Sequence, residues 1–273
     1  MNYLAVITLL AQVVLGLVLG STSGKAANLK GEVIQICEDI AEWPPYHYKK
    51  RENGKVTTEV VGYGIDVLKK VLGSKGIKYD IRFKPWKRCL EEVKAGKKSH
   101  MILSATYNKE RDEAYYLIPW YTTSVQYFYS KKKFPDGLTI KDVKEFDKYN
   151  LCGIRGYNYA YAGIEDWKKK IRLTFKNYDN LTKALLQKNN CDIFFEQREI
   201  ISGFASTGKD YINEYSLGFA PIPGTDVTWF NMLLSRNYEH AFELKKALGE
   251  GVAYLFKTGE YKQYLKKNNL ESE

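Results

Sequence analysis

Histidine is scarce in this sequence. The chain has three, His47, His100 and His240, among 273 residues, and no serine–histidine–aspartate grouping is apparent around them. Hydrolysis by an activated nucleophile therefore has no visible machinery. Cysteine is scarce as well. Cys37, Cys89, Cys152 and Cys191 include no close pair of the kind that zinc sites use, so neither a metal nor a cofactor is expected. The stretch Gly62-Tyr63-Gly64-Ile65 lacks the third glycine of a dinucleotide-binding turn. Beyond residue 27 no apolar run is long enough to span a bilayer.

Before residue 27 the opposite holds. Leu4 to Gly20 is almost wholly apolar, and Ser21 to Ala27 supplies small residues. This reads as a secretory signal over residues 1–26, cut after Ala26, although Met1-Asn2-Tyr3 carries no basic residue. An uncleaved membrane anchor is the alternative. No cysteine follows the apolar stretch, which excludes a lipid anchor attached there. The mature chain is expected to be exported, periplasmic and soluble. Four cysteines in an oxidising compartment then read as two disulfides.

What is plentiful is tyrosine, with 22 copies, and lysine, which helps bring the formal net charge to +10. Tyrosine joins a flat apolar face to a polar tip and often lines ligand clefts. The lysines come in small groups, Lys131 to Lys133, Lys168 to Lys170, Lys266 and Lys267, on otherwise amphipathic stretches. They read as solvated faces, and nucleic acid is not an expected partner.

Along the chain, hydrophobic periodicity alternates between two kinds. Glu32 to Cys37 reads as a strand, and Trp43-Pro44-Pro45-Tyr46 as a stiff aromatic loop after it. Ile65, Val67, Leu68, Val71 and Leu72 have helical spacing, ended by Gly73. Lys78 to Phe83 is a strand, Pro85 opens a helix burying Leu90 and Val93 and ending at Gly96, and Met101 to Leu103 is the next strand. The pattern restarts with strands at 151–154, 171–175 and 191–195, a helix opening after Gly156-Tyr157-Asn158, and another over 180–187. Extended pieces at 122–132 and 217–235 separate the halves. Two terminal helices close the chain, with Leu255, Phe256, Tyr261 and Leu265 as the inner face of its last stretch.

The expected fold is therefore α/β. Each of two lobes has a mostly parallel sheet flanked by helices, and two hinge strands join them around a cleft. Lobe 1 takes residues 27–123 and 228–273, and lobe 2 takes 124–227 with the hinge segments. Four cysteines allow three pairings. Keeping each bond inside one lobe gives Cys37–Cys89 and Cys152–Cys191. In such sheets ligands sit beyond the C-terminal strand ends, where Trp43, Trp86, Ser104 and Thr106 fall.

Several phrases, in this order, resemble one family. They are "WPPY", "GYGIDVLKKVL", "PWKRCLEEVKAGK", "SATYNKER" followed by "YYLIPWY", "GIRGYNYAYAG", "NYDNLTKALLQKNNCDIFF" and "TGEYKQYLKK". The chain resembles the periplasmic solute-binding proteins of polar-amino-acid ABC transporters, extracellular solute-binding family 3, over essentially all of its mature length, and the resemblance implies their two-lobed periplasmic-binding-protein (Venus-flytrap) fold. The resemblance implies that Ser104 and Thr106 offer hydroxyl and backbone groups to a ligand carboxylate, and that Arg111 grips it with its planar fork. It implies aromatic walls at Trp43 and Trp86, with Tyr46 as a third. It places Tyr157 and Asn158 where the second lobe closes over the ligand, at a helix start whose N–H groups suit an anion.

The likeness departs from the pattern after "CDIFF". The amino-acid binders carry an aspartate there for the ligand ammonium. This chain has Glu196 and Gln197, and spacing puts Gln197 at that position. The implied function is non-enzymatic capture of a small carboxylate-bearing solute by a monomer that docks on a membrane ABC permease. The alternatives are an enzyme on the same scaffold resembling a cyclohexadienyl dehydratase, and a soluble input to a sensor kinase. The enzyme would need a general acid or base, for which Glu38, Asp39, His47 and Glu196 are candidates.

Overall fold

A computed structural model describes residues 29–187, 190–225 and 227–270. The expected signal over residues 1–26 lies outside the described residues. Among the described residues no helix is long and apolar enough to cross a membrane.

In chain order the elements are β1 (Val33–Asp39), β2 (Tyr48–Glu52), β3 (Lys55–Val61), α1 (Tyr63–Gly73), β4 (Lys78–Lys84), α2 (Trp86–Ala95), β5 (Met101–Thr106), α3 (Lys109–Ala114) and β6 (Tyr115–Thr123). Then come β7 (Val125–Ser130), β8 (Leu151–Ile154), α4 (Trp167–Lys170), β9 (Ile171–Phe175), α5 (Tyr178–Leu185), β10 (Ile193–Gln197), α6 (Arg198–Gly203), α7 (Tyr211–Glu214) and β11 (Leu217–Pro221). β12 (Thr228–Ser235), α8 (Ala241–Thr258) and α9 (Tyr261–Lys267) end the chain.

The strands form two five-stranded sheets of the same design. One has the order β4-β1-β5-β12-β6 and the other β9-β8-β10-β7-β11. In each, four strands run in one direction and one, β12 or β7, runs against them, so the sheets are mixed. β1 and β4 pair in register from Val33 and Lys78 to Asp39 and Lys84. All six residues of β5 are buried, as a central strand covered on both faces requires. β12 returns to the first sheet between β5 and β6, so the chain enters, leaves and re-enters that half.

The helices cover the sheets through their apolar faces. α1 buries Ile65, Val67, Leu68, Val71 and Leu72, as its spacing requires. α8 lies on α1 so closely that a Cβ on Gly251 would come within 2.4 Å of Val71. α2 begins after Pro85 and is closed by Gly96 at φ 73°, which is left-handed backbone. Leu255 is buried, whereas Phe256, expected on the same inner face, is 40% exposed. A helix turns about 100° per residue, so Phe256 leaves the face that Leu255 buries, and its ring packs instead on Tyr261 of α9 at 4.7 Å.

Disulfides join Cys37 to Cys89 and Cys152 to Cys191 with Cα separations of 5.3 and 5.9 Å, and no free cysteine remains among the described residues. Each bond ties strands and helices of one sheet only. An exposed hairpin, β2–β3, lies between the aromatic loop and α1, over residues for which no element was expected; its turn, Asn53-Gly54, has positive φ at both positions. One local expectation fails. After β8 the chain makes a single 3-10 turn over Ala160–Ala162 in place of a helix. Gly163 and Asp166 then take left-handed backbone, which an α-helix cannot contain.

Candidate functional site

The C-terminal ends of the parallel strands from both sheets face one cavity. The first half contributes Glu38 and Asp39 from the end of β1, Trp43 and His47 from the loop after it, and Trp86 from the first turn of α2. It also contributes Ser104, Ala105 and Thr106 from the end of β5, Arg111 from α3, and Phe230 from β12. The second half contributes Tyr157, Asn158 and Tyr161 beyond β8, and Glu196 and Gln197 at the end of β10. The cavity measures ≈ 50 Å³ as the space that a water molecule's centre can reach.

Arg111 is the cation of this site. Asn108 caps α3, its side chain accepting from the Arg111 backbone N–H at 2.7 Å, and this orients the residue. The side chain is 6% exposed, and its Nη1 donates to the Thr106 carbonyl at 2.7 Å and to Thr106 Oγ1 at 3.1 Å. The guanidinium lies 5.6 Å over the Trp86 ring. Among the described residues no carboxylate pairs with it. Burial pulls its pKa down to about 10, which leaves it charged at neutral pH. A buried charge without a counter-ion is costly, and a carboxylate is the partner whose shape matches the fork.

Carboxyl groups ring the rest of the cavity. Asp39 accepts from the Ala41 N–H at 3.1 Å and from the Tyr157 hydroxyl at 3.0 Å. Burial dominates these bonds and raises its pKa to about 6. Glu196 accepts from the Tyr178 hydroxyl at 2.6 Å and from the Gln197 N–H at 3.0 Å. Burial raises it further, to about 8. Neither pairs with a cation among the described residues. Glu38 lies 2.8 Å from His47 Nε2, both nearly fully buried.

Hydrogen bonds cross between the halves at the rim. Trp86 Nε1 donates to the Gly156 carbonyl at 3.1 Å, and Asn158 Nδ2 donates to Thr106 Oγ1 at 2.9 Å and to the Tyr107 carbonyl at 3.0 Å. With Tyr157 on Asp39, these bonds hold the two strand-end clusters together. A Cβ on Gly203 would come within 2.7 Å of the Pro44 carbonyl, a further close approach between the halves.

Of the residues singled out in the sequence, Trp43, Trp86, Ser104, Thr106, Arg111, Tyr157, Asn158, Glu196 and Gln197 meet in this cavity. Tyr46 stands outside the lining. Trp43 and His47 exchange backbone hydrogen bonds across a tight turn and face the cavity. Tyr46, between them, turns inward to stack on Tyr121 at 4.2 Å, and its hydroxyl donates to Glu199. The anion-binding helix start expected at Gly156 to Asn158 is also absent, because only the short 3-10 turn follows. Tyr161 and Phe230 are lining residues that sequence reasoning did not single out. Glu38, Asp39 and His47 had been considered only as acids or bases for an enzyme. Among the described residues, no group of three or more His, Cys, Asp or Glu side chains is placed to hold a metal ion.

A family model described as bacterial extracellular solute-binding proteins, family 3, matches residues 36–271. No curated protein matches the sequence. Among solved structures, the substrate-binding protein of an amino acid ABC transporter is 19% identical, with a TM-score of 0.65 over 86% of this chain and 98% of that one. The substrate-binding protein AbpA from Streptococcus pneumoniae, bound to L-arginine, is 17% identical, with a TM-score of 0.67 over 88% and 97%. A histidine kinase sensor domain with similarity to periplasmic binding proteins is also 17% identical, with a TM-score of 0.68 over 89% and 97%. At these identities the structural likeness concerns the two-lobed fold.

Proposed function

We propose a function from one premise: this chain belongs to the bacterial extracellular solute-binding proteins, family 3. The solute it binds is a small zwitterion, an amino acid or a close relative, held by its carboxylate on Arg111 and enclosed between the halves. Thr106 holds the guanidinium in place, and Ser104 adds a hydroxyl beside it. Trp43, Trp86, Tyr157 and Phe230 supply aromatic walls. Glu196 and Asp39 offer carboxyl groups to an ammonium, so the glutamine at the family's aspartate position does not remove that capacity. The lobes of this reading are residues 27–123 with 228–273, and residues 124–227. The protein acts outside the cytoplasm, in the periplasm, and delivers its solute to an ABC permease.

The observation that carries this reading is Arg111, a buried guanidinium with no carboxylate partner among the described residues, in a cavity shared by both sheets. A thermal-shift screen of L-amino acids, dicarboxylates, polyamines and aromatic acids tests it. A solute at a hundred times its Kd adds about 2.7 kcal/mol of stability. Arg111→Ala should weaken a carboxylate-bearing hit by about 10- to 100-fold, because such charge-assisted bonds contribute about 1.5–3 kcal/mol. An unchanged affinity removes Arg111 from the site. The sensor-domain likeness supports a second reading, an input to a separate membrane kinase, and a permease or a kinase gene beside this one distinguishes the two.

A further inference from the structure

Glu38 and His47 form a pair whose remaining nitrogen has no protein partner. Glu38 is 1% exposed at the end of β1. One of its oxygens accepts from the Leu103 backbone N–H at 2.6 Å, and the other lies 2.8 Å from His47 Nε2. Both oxygens therefore act as acceptors, and the ring proton facing Glu38 is on Nε2. His47 itself is 2% exposed, and its backbone is pinned by the two-way hydrogen bond with Trp43. Its Nδ1 is buried and has no hydrogen-bond partner among the described residues. His47 lines the cavity, and from the opposite half so does Gln197, whose Oε1 is also buried without a partner. Two residues of the lining, one from each lobe, thus each carry a buried acceptor with no partner among the described residues.

We propose that His47, oriented by Glu38, is a specificity-determining residue: its Nδ1 accepts a hydrogen bond from an N–H or O–H group on the solute's side chain. L-amino acids with such a donor are then preferred over isosteres without one. The proposal rests on the reading of Arg111 as the carboxylate anchor. It assigns to the Glu38–His47 pair the choice among carboxylate-bearing solutes that Arg111 admits alike. A site built to hydrogen-bond a ligand group rejects the analogue lacking it, because its own buried atom is left unpaired.

Isothermal titration of matched pairs tests this: L-glutamine against L-glutamate 5-methyl ester, L-tyrosine against L-phenylalanine, and L-serine against L-alanine. In at least one pair the donor-bearing member should bind the wild-type protein on the order of tenfold tighter. His47→Phe should abolish that difference while the other member still binds. Glu38→Gln, nearly isosteric, supplies the second arm should His47→Phe fail to fold. Its amide oxygen can stay on the Leu103 N–H while its NH2 donates to Nε2, which moves the ring proton to Nδ1. The preference for the donor-bearing member should then vanish or reverse, which a merely structural role would not produce. Equal binding within each pair, with Arg111→Ala still weakening it, overturns the role of His47 and leaves the carboxylate anchor standing. If no member of any pair binds the wild-type protein, the role of His47 falls, and the wider thermal-shift screen decides the carboxylate anchor.

Discussion

Arg111 and Glu196 show how burial sets chemistry one side chain at a time. The first keeps its charge because a guanidinium holds its proton even at a pKa near 10. The second stays protonated at neutral pH because its carboxyl has moved to about 8. An unfolded glutamate titrates near 4.3, so the folded protein binds the proton more tightly. Stability from this group is therefore fully present below about pH 4.3, falls as pH rises toward 8, and is level above that. Between pH 5 and 8 the melting temperature of Glu196→Gln should fall less with rising pH than that of the wild type. Parallel slopes in differential scanning calorimetry would show that Glu196 titrates normally. Arg111 was legible in the sequence because two small hydroxyl residues end a strand five and seven positions before it. Tyr46 was not, because a turn that faces Trp43 and His47 one way and Tyr46 the other leaves no periodic trace.

Among the elements, helix ends were easier to read than loops. Pro85 and Gly96 bracket α2 as their backbone preferences require. At Gly96 a Cβ would lie 2.6 Å from Ser235 Oγ and 2.8 Å from the Tyr238 backbone nitrogen, at φ 73°. Gly96→Ala therefore combines left-handed strain with a clash against β12 and its exit. It should cost more than the roughly 1–2 kcal/mol of the backbone term alone, read as a lowered midpoint in urea; an unchanged midpoint would show that β12 yields freely. The Asn53-Gly54 turn of the β2–β3 hairpin was also visible, but its strands carry Lys, Arg, Glu and Thr and lack the apolar alternation that marks a half-buried strand. The missing helix after β8 has the converse cause. Its tyrosines resemble a helix opening, yet Tyr159 is drawn beneath β8, where its hydroxyl accepts from the Ile154 backbone N–H at 2.8 Å and its ring fills the space beside Gly153. Tertiary packing overrides local preference there.

For the molecule as a whole, the contacts across the cavity rim decide how firmly the halves stay shut. Asn158 makes two of them and Tyr157 one. The double variant Tyr157→Phe, Asn158→Ala should shift the solute-free protein toward an open form, visible as a larger radius of gyration in small-angle X-ray scattering. An unchanged radius would mean that these bonds do not govern closure. The repeated strand order of the two sheets could be read from the alternating periods, whereas bonds that form only when distant loops meet have no local signature. The passage between the sheets is itself informative. β6 ends at Thr123 and β7 begins at Val125, so Ser124 alone carries the chain across, and Pro221 to Thr228 carries it back. A one-residue strap reaches no more than about 3.6 Å. The halves are thus denied sliding or parting and left a swing about that seam, so whatever empties the cavity must first break the bonds that close it, Asn158 on Thr106 and Trp86 on Gly156.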